Sequence, residues 1–160
     1  SQVSTVPYTA KEKAVLESSP LQNDRARIFF ANGVTTGPTL KVRHGYPAVL
    51  LINGQKVVQV NKSDVAVFDV RPGRYEFAWK LPSEDRQSNE ITAEATGGST
   101  IILLGDFNVG GTGFGLLGAA IAPPSLEIRE TTAKNEIEGL TYVQAASCPT
   151  SICFNQSVTP

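Results

Sequence analysis

The sequence predicts an all-β fold, an antiparallel β-sandwich with short helical segments near the N- and C-termini. Runs of alternating apolar and polar residues recur between residues 25 and 130, with the period of a half-buried strand. Turn residues separate these runs about every eight to twelve positions, as in sandwiches and barrels. No helical stretch is long enough for repeated βαβ crossovers, so we expect mainly antiparallel pairing.

Residues 1–24 are expected to form an N-terminal tail with one short helix. Thr9 and Glu12 stand three positions apart, as in a capping box, and good helix formers follow. Pro20 then ends the helix because it cannot continue the hydrogen-bond ladder. The next region, residues 25–130, is expected to be the β-sandwich domain.

Turn chemistry divides the first half of this domain into strands. The segment Ala26–Asn32 is apolar and aromatic, which is typical of a buried strand. Asn53 and Gly54 join two apolar runs, and this pair predicts a hairpin with positive φ at both residues. Pro72 and Gly73 occupy the two central positions of a predicted type II turn.

One predicted strand carries three aromatic side chains on the same face. Tyr75, Phe77 and Trp79 alternate with polar residues in "RYEFAWKL". Such a face is most often part of a core, although it could also stack a ligand. We therefore expect these three residues to lie inside the sandwich.

The remaining strands and a C-terminal extension complete the chain. "NEITAEAT", "STIILLGDF" and "SLEIRE" are each expected to form a strand. Residues 131–160 are expected to be a C-terminal extension, in which "TTAKNEIEGL" makes a short helical excursion. The extension is also expected to carry a disulfide loop.

The two cysteines, Cys148 and Cys153, enclose the short loop "PTSI". One interpretation is a local disulfide, which requires an oxidising compartment, and the other is a pair of reduced thiols. A metal site would need more ligands, and the only histidine, His44, is far away in sequence. We expect a disulfide and no metal, and we expect His44 to be exposed in a turn beside Gly45.

The charge balance excludes two classes of partner. The net charge is −1, and the basic residues are scattered along the chain. This distribution lacks the basic patch of a nucleic-acid-binding protein and the cluster that attracts an anionic membrane surface. The chain has no methionine and begins with a polar segment, from which we expect an exported protein whose leader was removed.

The stretch "PAVLLINGQKVVQVNKSDVAVFDVRPGRYEFAWK", with "RIFF" before it and "STIILL" and "LEIRE" after it, resembles the PEGA-like β-sandwich modules of bacterial envelope proteins. It is most similar to a family of lipoproteins known only as a domain of unknown function, over Ala26 to Glu130. The resemblance implies export to the periplasmic side of the cell envelope, as for an outer-membrane lipoprotein. It also implies a lipid on a cysteine, which here would lie upstream of Ser1. The family offers no catalytic residues to carry over.

The glycine-rich stretch "GGTGFGLLGAAIAPP" contains the spacing G-x-G-x-x-G after a predicted strand. A dinucleotide site also needs a following helix whose amides hold the pyrophosphate, and two prolines end this segment too early. The nine uncharged residues of 114–122 are too few for a membrane span, although a shallow contact with lipid stays open. Two other interpretations stay open: a loop that covers the edge of the core, or a loop that binds a partner. In both, the contacts would be made by Phe114, Leu116, Leu117 and Ile121.

These observations predict a non-enzymatic module of the bacterial envelope that binds, or supports, a protein or envelope partner and needs no cofactor. One alternative is an inhibitor or immunity protein that blocks an enzyme with the glycine-rich loop. Another is an envelope hydrolase built on Asp64, Asp69 or Asp106, which requires two carboxylates within about 10 Å of each other.

Overall fold

A computed structural model describes residues 5–36, 41–108 and 125–154 of the chain. In these residues strands predominate, and one α-helix lies between the first two strands. The elements, in chain order, are β1 Val6–Pro7, α1 Ala10–Ser18, β2 Ala26–Thr36, β3 Lys41–Arg43, β4 Ala48–Ile52, β5 Gln55–Val60, β6 Asp64–Val70, β7 Gly73–Lys80, β8 Ile91–Ala95, β9 Thr100–Asn108, β10 Ser125–Thr131, a 3₁₀ helix Lys134–Ile137 and β11 Thr141–Gln144.

The strands form two sheets. The larger sheet has the order β1-β11-β6-β2-β9-β10, with β3 paired to the far end of β2, and the smaller sheet has the order β5-β4-β7-β8. Most pairs are antiparallel, but β2 pairs with β9, and β6 with β11, in parallel. The predicted all-β sandwich is confirmed, with these two parallel pairs as an addition to it.

The main core lies between the sheets. Alternate residues of each strand point into it, which is why the period-two pattern is so clear. Tyr75, Phe77 and Trp79 belong to this core, as the sequence predicts, and Phe30 and Phe68 reach it from the larger sheet. Trp79 is fully buried, and its indole N–H donates to the Glu127 carbonyl oxygen at 2.8 Å.

One of the two predicted turns is confirmed and the other is wrong. Asn53 and Gly54 both have positive φ, 50° and 79°, as the hairpin requires. Gly73 does not have the positive φ of a type II turn, since it is already the first residue of β7. The Arg71 amide before it donates to the Ile152 carbonyl oxygen at 2.9 Å, so the C-terminal segment sets the backbone here.

The helix α1 covers the outer face of the larger sheet. Its predicted capping box is present: the Glu12 amide donates to Thr9 Oγ1 at 3.1 Å, and the Thr9 amide donates to Glu12 Oε1 at 2.9 Å. Tyr8, just before the helix, is buried and donates its hydroxyl to the Val67 carbonyl oxygen at 2.9 Å. A second apolar cluster therefore forms on this face, with Leu16 packed against it.

The C-terminal segment contributes a strand to the larger sheet. The predicted helical excursion is only the four-residue 3₁₀ helix, and β11 after it lies between β1 and β6. Residues from both ends of the chain thus complete one sheet. Within the described ranges, no helix is long and apolar enough to cross a membrane.

Candidate functional site

Cys148 and Cys153 form the predicted disulfide, with their Cα atoms 5.8 Å apart. The bonded loop lies against the end of β6, where Val70 makes a backbone bridge to Cys153. The Phe154 amide donates to the Asp69 carbonyl oxygen at 3.0 Å just beyond it. These backbone hydrogen bonds fasten the last described residues to the sandwich, and the disulfide closes the loop that carries them. The part of the chain that the structure describes holds no cluster of potential metal ligands.

Replacing both cysteines, as Cys148→Ser with Cys153→Ser, is expected to lower the free energy of unfolding by about 2 kcal/mol, because the closed loop is short and restricts few unfolded conformations. Urea unfolding followed by circular dichroism measures this loss. The wild-type protein under reducing conditions serves as the control and should unfold at the same urea concentration as the double variant. An unchanged unfolding midpoint would show that the bond stabilises nothing.

Asp69, one of the candidate catalytic carboxylates, is held by arginine. Arg27 Nε lies 2.8 Å from Asp69 Oδ1, and its Nη2 lies 3.2 Å from Oδ2, so the pair is bidentate. Arg25 approaches the same carboxylate at 3.8 Å. The side chains of Arg27 and Asp69 are only 14% and 7% exposed. Arg27 also donates to the Leu16 carbonyl oxygen at 3.1 Å, which joins α1 to the sheet.

Asp106 is held in the same way at the other end of the sheet. Arg129 Nε lies 2.6 Å from Asp106 Oδ2, and the Val34 amide donates to Oδ1 at 2.9 Å. Arg129 also bonds Glu136, and this hydrogen bond holds the pKa of the Glu136 carboxyl below its ordinary value. A Cβ on Gly33 would lie 1.9 Å from Asp106 Oδ1, so this close approach requires glycine.

The three candidate carboxylates are not brought together. Asp69 lies opposite Arg27, which pairs with Thr100, whereas Asp106 lies six positions further along β9. Six residues of extended strand separate Asp69 from Asp106 by about 20 Å along the sheet. Asp64 accepts a hydrogen bond from the Asn61 amide at 3.1 Å in a turn. Asp64 lies at about the level of Asp106, but it shares the strand face of Ala66 and Phe68, whereas Asp106 shares the opposite face with Leu104. The carboxylate pair that the hydrolase hypothesis requires is therefore not formed by these residues.

The prediction that His44 is exposed is wrong, since only 3% of this residue is accessible. Its ring stacks on Trp79, with centroids 5.4 Å apart and planes 16° from parallel. Its Nε2 lies 2.6 Å from the Gly105 carbonyl oxygen. The glycine that follows His44 suggested an exposed turn, but the turn folds back over the open end of the core and carries the imidazole inward.

A groove of about 640 Å³ lies on the outer face of the larger sheet. Its floor is made by β2, β9 and β11, its first wall by α1, and its second wall by the 3₁₀ helix and the turn after it. The floor spans the width from β11 to β9, about 14 Å at the usual spacing between strands. Its apolar lining residues are Leu16, Phe29, Ile102, Ile137, Leu140 and Tyr142.

The groove combines an aromatic floor with charged walls. Phe29 and Tyr142 meet edge to face, with centroids 6.0 Å apart. Lys13 Nζ lies 4.7 Å from the Tyr142 ring centroid, a cation–π contact. Burial raises the pKa of the Tyr142 phenol, and the nearby Glu17 adds to this effect. On the opposite wall, Lys134 is exposed. Apolar, cationic and anionic groups thus face the same space.

A smaller cavity of about 220 Å³ lies beside the disulfide. Phe154 forms part of its lining, and two guanidinium groups flank this ring: Arg25 Cζ at 4.2 Å and Arg71 Cζ at 4.7 Å from the centroid. These contacts fix the Phe154 ring at the end of the sandwich. We assign the cavity a structural role in seating the disulfide loop.

The predicted contact residues of the glycine-rich loop lie outside the described residues. The proposed partner contacts through Phe114, Leu116, Leu117 and Ile121 therefore stay a prediction. The groove was not predicted, because its lining comes from four separate segments of the chain. Only the apolar residues left over in the short helical segments, such as Leu16 and Ile137, were a signal for it.

Comparisons with protein-family models, with curated proteins and with solved structures give no match for this chain. The assignment of a function therefore depends on the fold, the groove and the buried polar groups.

Proposed function

We propose that this protein is a non-enzymatic binding module of the bacterial cell envelope, and that its groove binds an extended segment of a partner protein. The observation that carries the proposal is the groove itself: an apolar, aromatic floor between two walls that carry charges of both signs. The part of the sheet face between α1 and the 3₁₀ helix is an accessible surface for such a segment.

The dimensions and lining of the groove support a peptide as ligand. A width of about 14 Å across the floor matches about four residues of extended chain. Phe29 and Tyr142 offer a contact for one aliphatic or aromatic side chain of the ligand. Lys13 and Glu17 on one wall, and Lys134 and Glu138 on the other, suit charged side chains of both signs beside it.

The buried carboxylates support a binding role over a hydrolytic one. Asp69 and Asp106 are each engaged by an arginine at 2.8 and 2.6 Å. Their side chains are only 7% and 8% exposed, so little of either carboxylate is accessible to a substrate. Both groups act instead as links between strands and the covering segments.

The compartment is supported by the disulfide, because such bonds persist in oxidising environments such as the periplasm. The resemblance of residues 26–130 to envelope β-sandwich modules points the same way, and it is the reason for proposing a lipid anchor. Both features suit a module held at the periplasmic side of a membrane.

Site-specific photocrosslinking in cells tests the proposed function. We place benzoylphenylalanine at position 135, an exposed residue of the groove wall, and at position 94, an exposed residue of β8 in the other sheet. The expected result is a discrete protein adduct from position 135 and none from position 94. Fractionation of the same cells should recover the oxidised chain with the envelope.

Two further variants make the result decisive. Ile137→Glu introduces a charge into the groove lining and should reduce the adduct at least about tenfold, a loss of roughly 1.4 kcal/mol of binding. Leu116→Asp with Leu117→Asp tests the loop instead and should leave the adduct unchanged. Equal adducts from positions 94 and 135, or a reduced chain in the cytosol, would contradict the proposal. Loss of the adduct only in the loop variant would favour the inhibitor hypothesis.

A further inference from the structure

His44 joins three parts of the sandwich at the end where β9 finishes. Its ring lies on Trp79 of the smaller sheet, and its Nε2 lies 2.6 Å from the Gly105 carbonyl oxygen of the larger sheet. The Tyr46 amide donates to its Nδ1 at 3.3 Å. Asn32 completes the arrangement, since its Nδ2 donates to the carbonyl oxygens of His44 and Tyr46 at 3.1 and 2.8 Å.

These contacts define the protonation state of the imidazole. A carbonyl oxygen only accepts, so Nε2 carries the hydrogen that is donated to Gly105. The Tyr46 amide only donates, so Nδ1 must be the unprotonated, accepting nitrogen. A second proton on His44 would have to sit on Nδ1 and face the Tyr46 N–H. Protonation therefore replaces one hydrogen bond with a contact between two donors, inside a nearly inaccessible site.

The charged groups around His44 come from several elements. Burial lowers the pKa of the imidazole, whereas the Gly105 carbonyl and the Asp106 carboxylate of β9 oppose this effect. Arg43 of β3 adds to the lowering. Arg129 of β10 neutralises Asp106 at 2.6 Å, and Lys62 of the β5–β6 turn reaches the side of Gly45.

The stacked Trp79 partly compensates a charge on His44 through a cation–π contact. β7 presents this indole to the ring, and Asn32 of β2 is neutral. The Arg43 guanidinium donates to the carbonyl oxygens of Asn32 and Glu136. Besides the Gly105 carbonyl, the compensation therefore comes from the indole and from a carboxylate that already has an arginine partner.

We propose that His44 is an acid-operated latch, which holds the Gly45–Tyr46 turn against β9 while it is neutral and releases it when it is protonated. Release opens the end of the sandwich around Phe107, on which the Tyr46 ring stacks at 4.5 Å between centroids. Tyr46 is already 48% exposed, so the turn can lift without displacing the main core. Phe107 and Asn108 are the last two residues of β9, so the latch acts at this end of the strand.

The direction of the pH dependence follows from the lowered pKa. The unfolded chain takes up a proton near the ordinary histidine pKa of 6.5, before the folded chain does. The stabilisation from neutral His44 is therefore complete above this pH and is lost as the pH falls from 6.5 through the lower folded-state pKa. Below the folded-state pKa the loss from this group stops growing.

The composition makes the latch directly observable, since His44 is the only histidine and Trp79 the only tryptophan. We expect the fluorescence of Trp79 to change in a single proton step below pH 6.5, together with the histidine ring signals in NMR. Hydrogen exchange at the Tyr46 amide should quicken at least about tenfold beyond the intrinsic effect of pH over the same step, because its acceptor is lost. The thermal midpoint should fall by about 3 °C between pH 7 and pH 5.

His44→Phe is the matched control, because it keeps a ring against Trp79 without a titrating group. It should abolish the fluorescence step and the fall in thermal midpoint above pH 5. If this variant does not fold, exchange at the Tyr46 amide in the wild-type protein decides alone. A Tyr46 amide that stays protected while His44 titrates, or a fluorescence step that survives in His44→Phe, would overturn the proposal.

Discussion

Trp79→Ala is expected to lower the free energy of unfolding by about 4 kcal/mol, the largest effect of any single replacement that we predict. The side chain is fully buried between the sheets, so its removal leaves a large cavity. The Glu127 carbonyl oxygen also loses the indole donor at 2.8 Å, and His44 loses the ring on which it stacks. Urea unfolding followed by far-ultraviolet circular dichroism measures the loss.

Tyr46→Ala is the matched control for this replacement, because it also removes an aromatic ring from the same cluster. About half of Tyr46 is accessible to solvent, so its removal is expected to cost less than about 1.5 kcal/mol. Gly105→Ala tests the packing around Trp79 from β9, since a Cβ at position 105 would lie 2.9 Å from the Trp79 ring. A Trp79→Ala protein that is as stable as Tyr46→Ala would show that this core is loosely packed.

Asp69→Ala is expected to cost about 3 kcal/mol, because it leaves the guanidinium of Arg27 buried without its carboxylate. The pair is bidentate and little exposed. The replacement also removes the weaker contact of Arg25 with this carboxylate at 3.8 Å, while Arg25 keeps its ion pair with Asp24 at 3.0 Å. Urea unfolding near neutral pH gives the value, and Asp24→Ala, a change at an exposed carboxylate, should leave the unfolding midpoint unchanged.

A double replacement separates the two contributions to this cost. Arg27→Met with Asp69→Leu removes both charges and fills the volume with apolar groups, so it should recover much of the stability that Asp69→Ala loses. If the double variant is as unstable as Asp69→Ala, the pair itself stabilises the fold. If Asp69→Ala costs nothing, the assignment of Asp69 as a link between strands and α1 is wrong.

The fold class could be predicted because local chemistry and long-range packing agree in most strands. The backbone preference of Asn53 and Gly54 already specifies their turn, and Thr9 with Glu12 specify the start of α1. Both features depend on neighbours within a few residues, so a single sequence contains all the information that they need.

The errors arose where a distant segment decides the local structure. Gly73 begins a strand instead of occupying a central position of a turn because the Arg71 amide before it pairs with Ile152. His44 is buried because Trp79 and Gly105, which are far from it in sequence, provide its two main contacts. Turn propensity around Gly45 carries no information about either partner.

The groove could not be predicted for a related reason. Its walls come from the N-terminal helix and the C-terminal 3₁₀ helix, and β2 and β9 contribute to its floor. The period-two pattern identifies the inner face of a strand, but it does not show what covers the outer face. Phe29 and Tyr142 are half-buried residues on such an outer face, and only the arrangement of the strands places them side by side.

The parallel pairing of β2 with β9 has a consequence for how the chain folds. β2 lies early in the sequence, but both of its neighbours in the sheet come much later: β6 ends at Val70 and β9 begins at Thr100. The two sides of this central, phenylalanine-rich strand are therefore closed late and at a high entropic cost, which is typical of folding in milliseconds to seconds. Until Thr100–Asn108 pairs with β2, the apolar edge of β2 is open to intermolecular pairing. We therefore expect the risk of aggregation during synthesis to be greatest before β9 has been made.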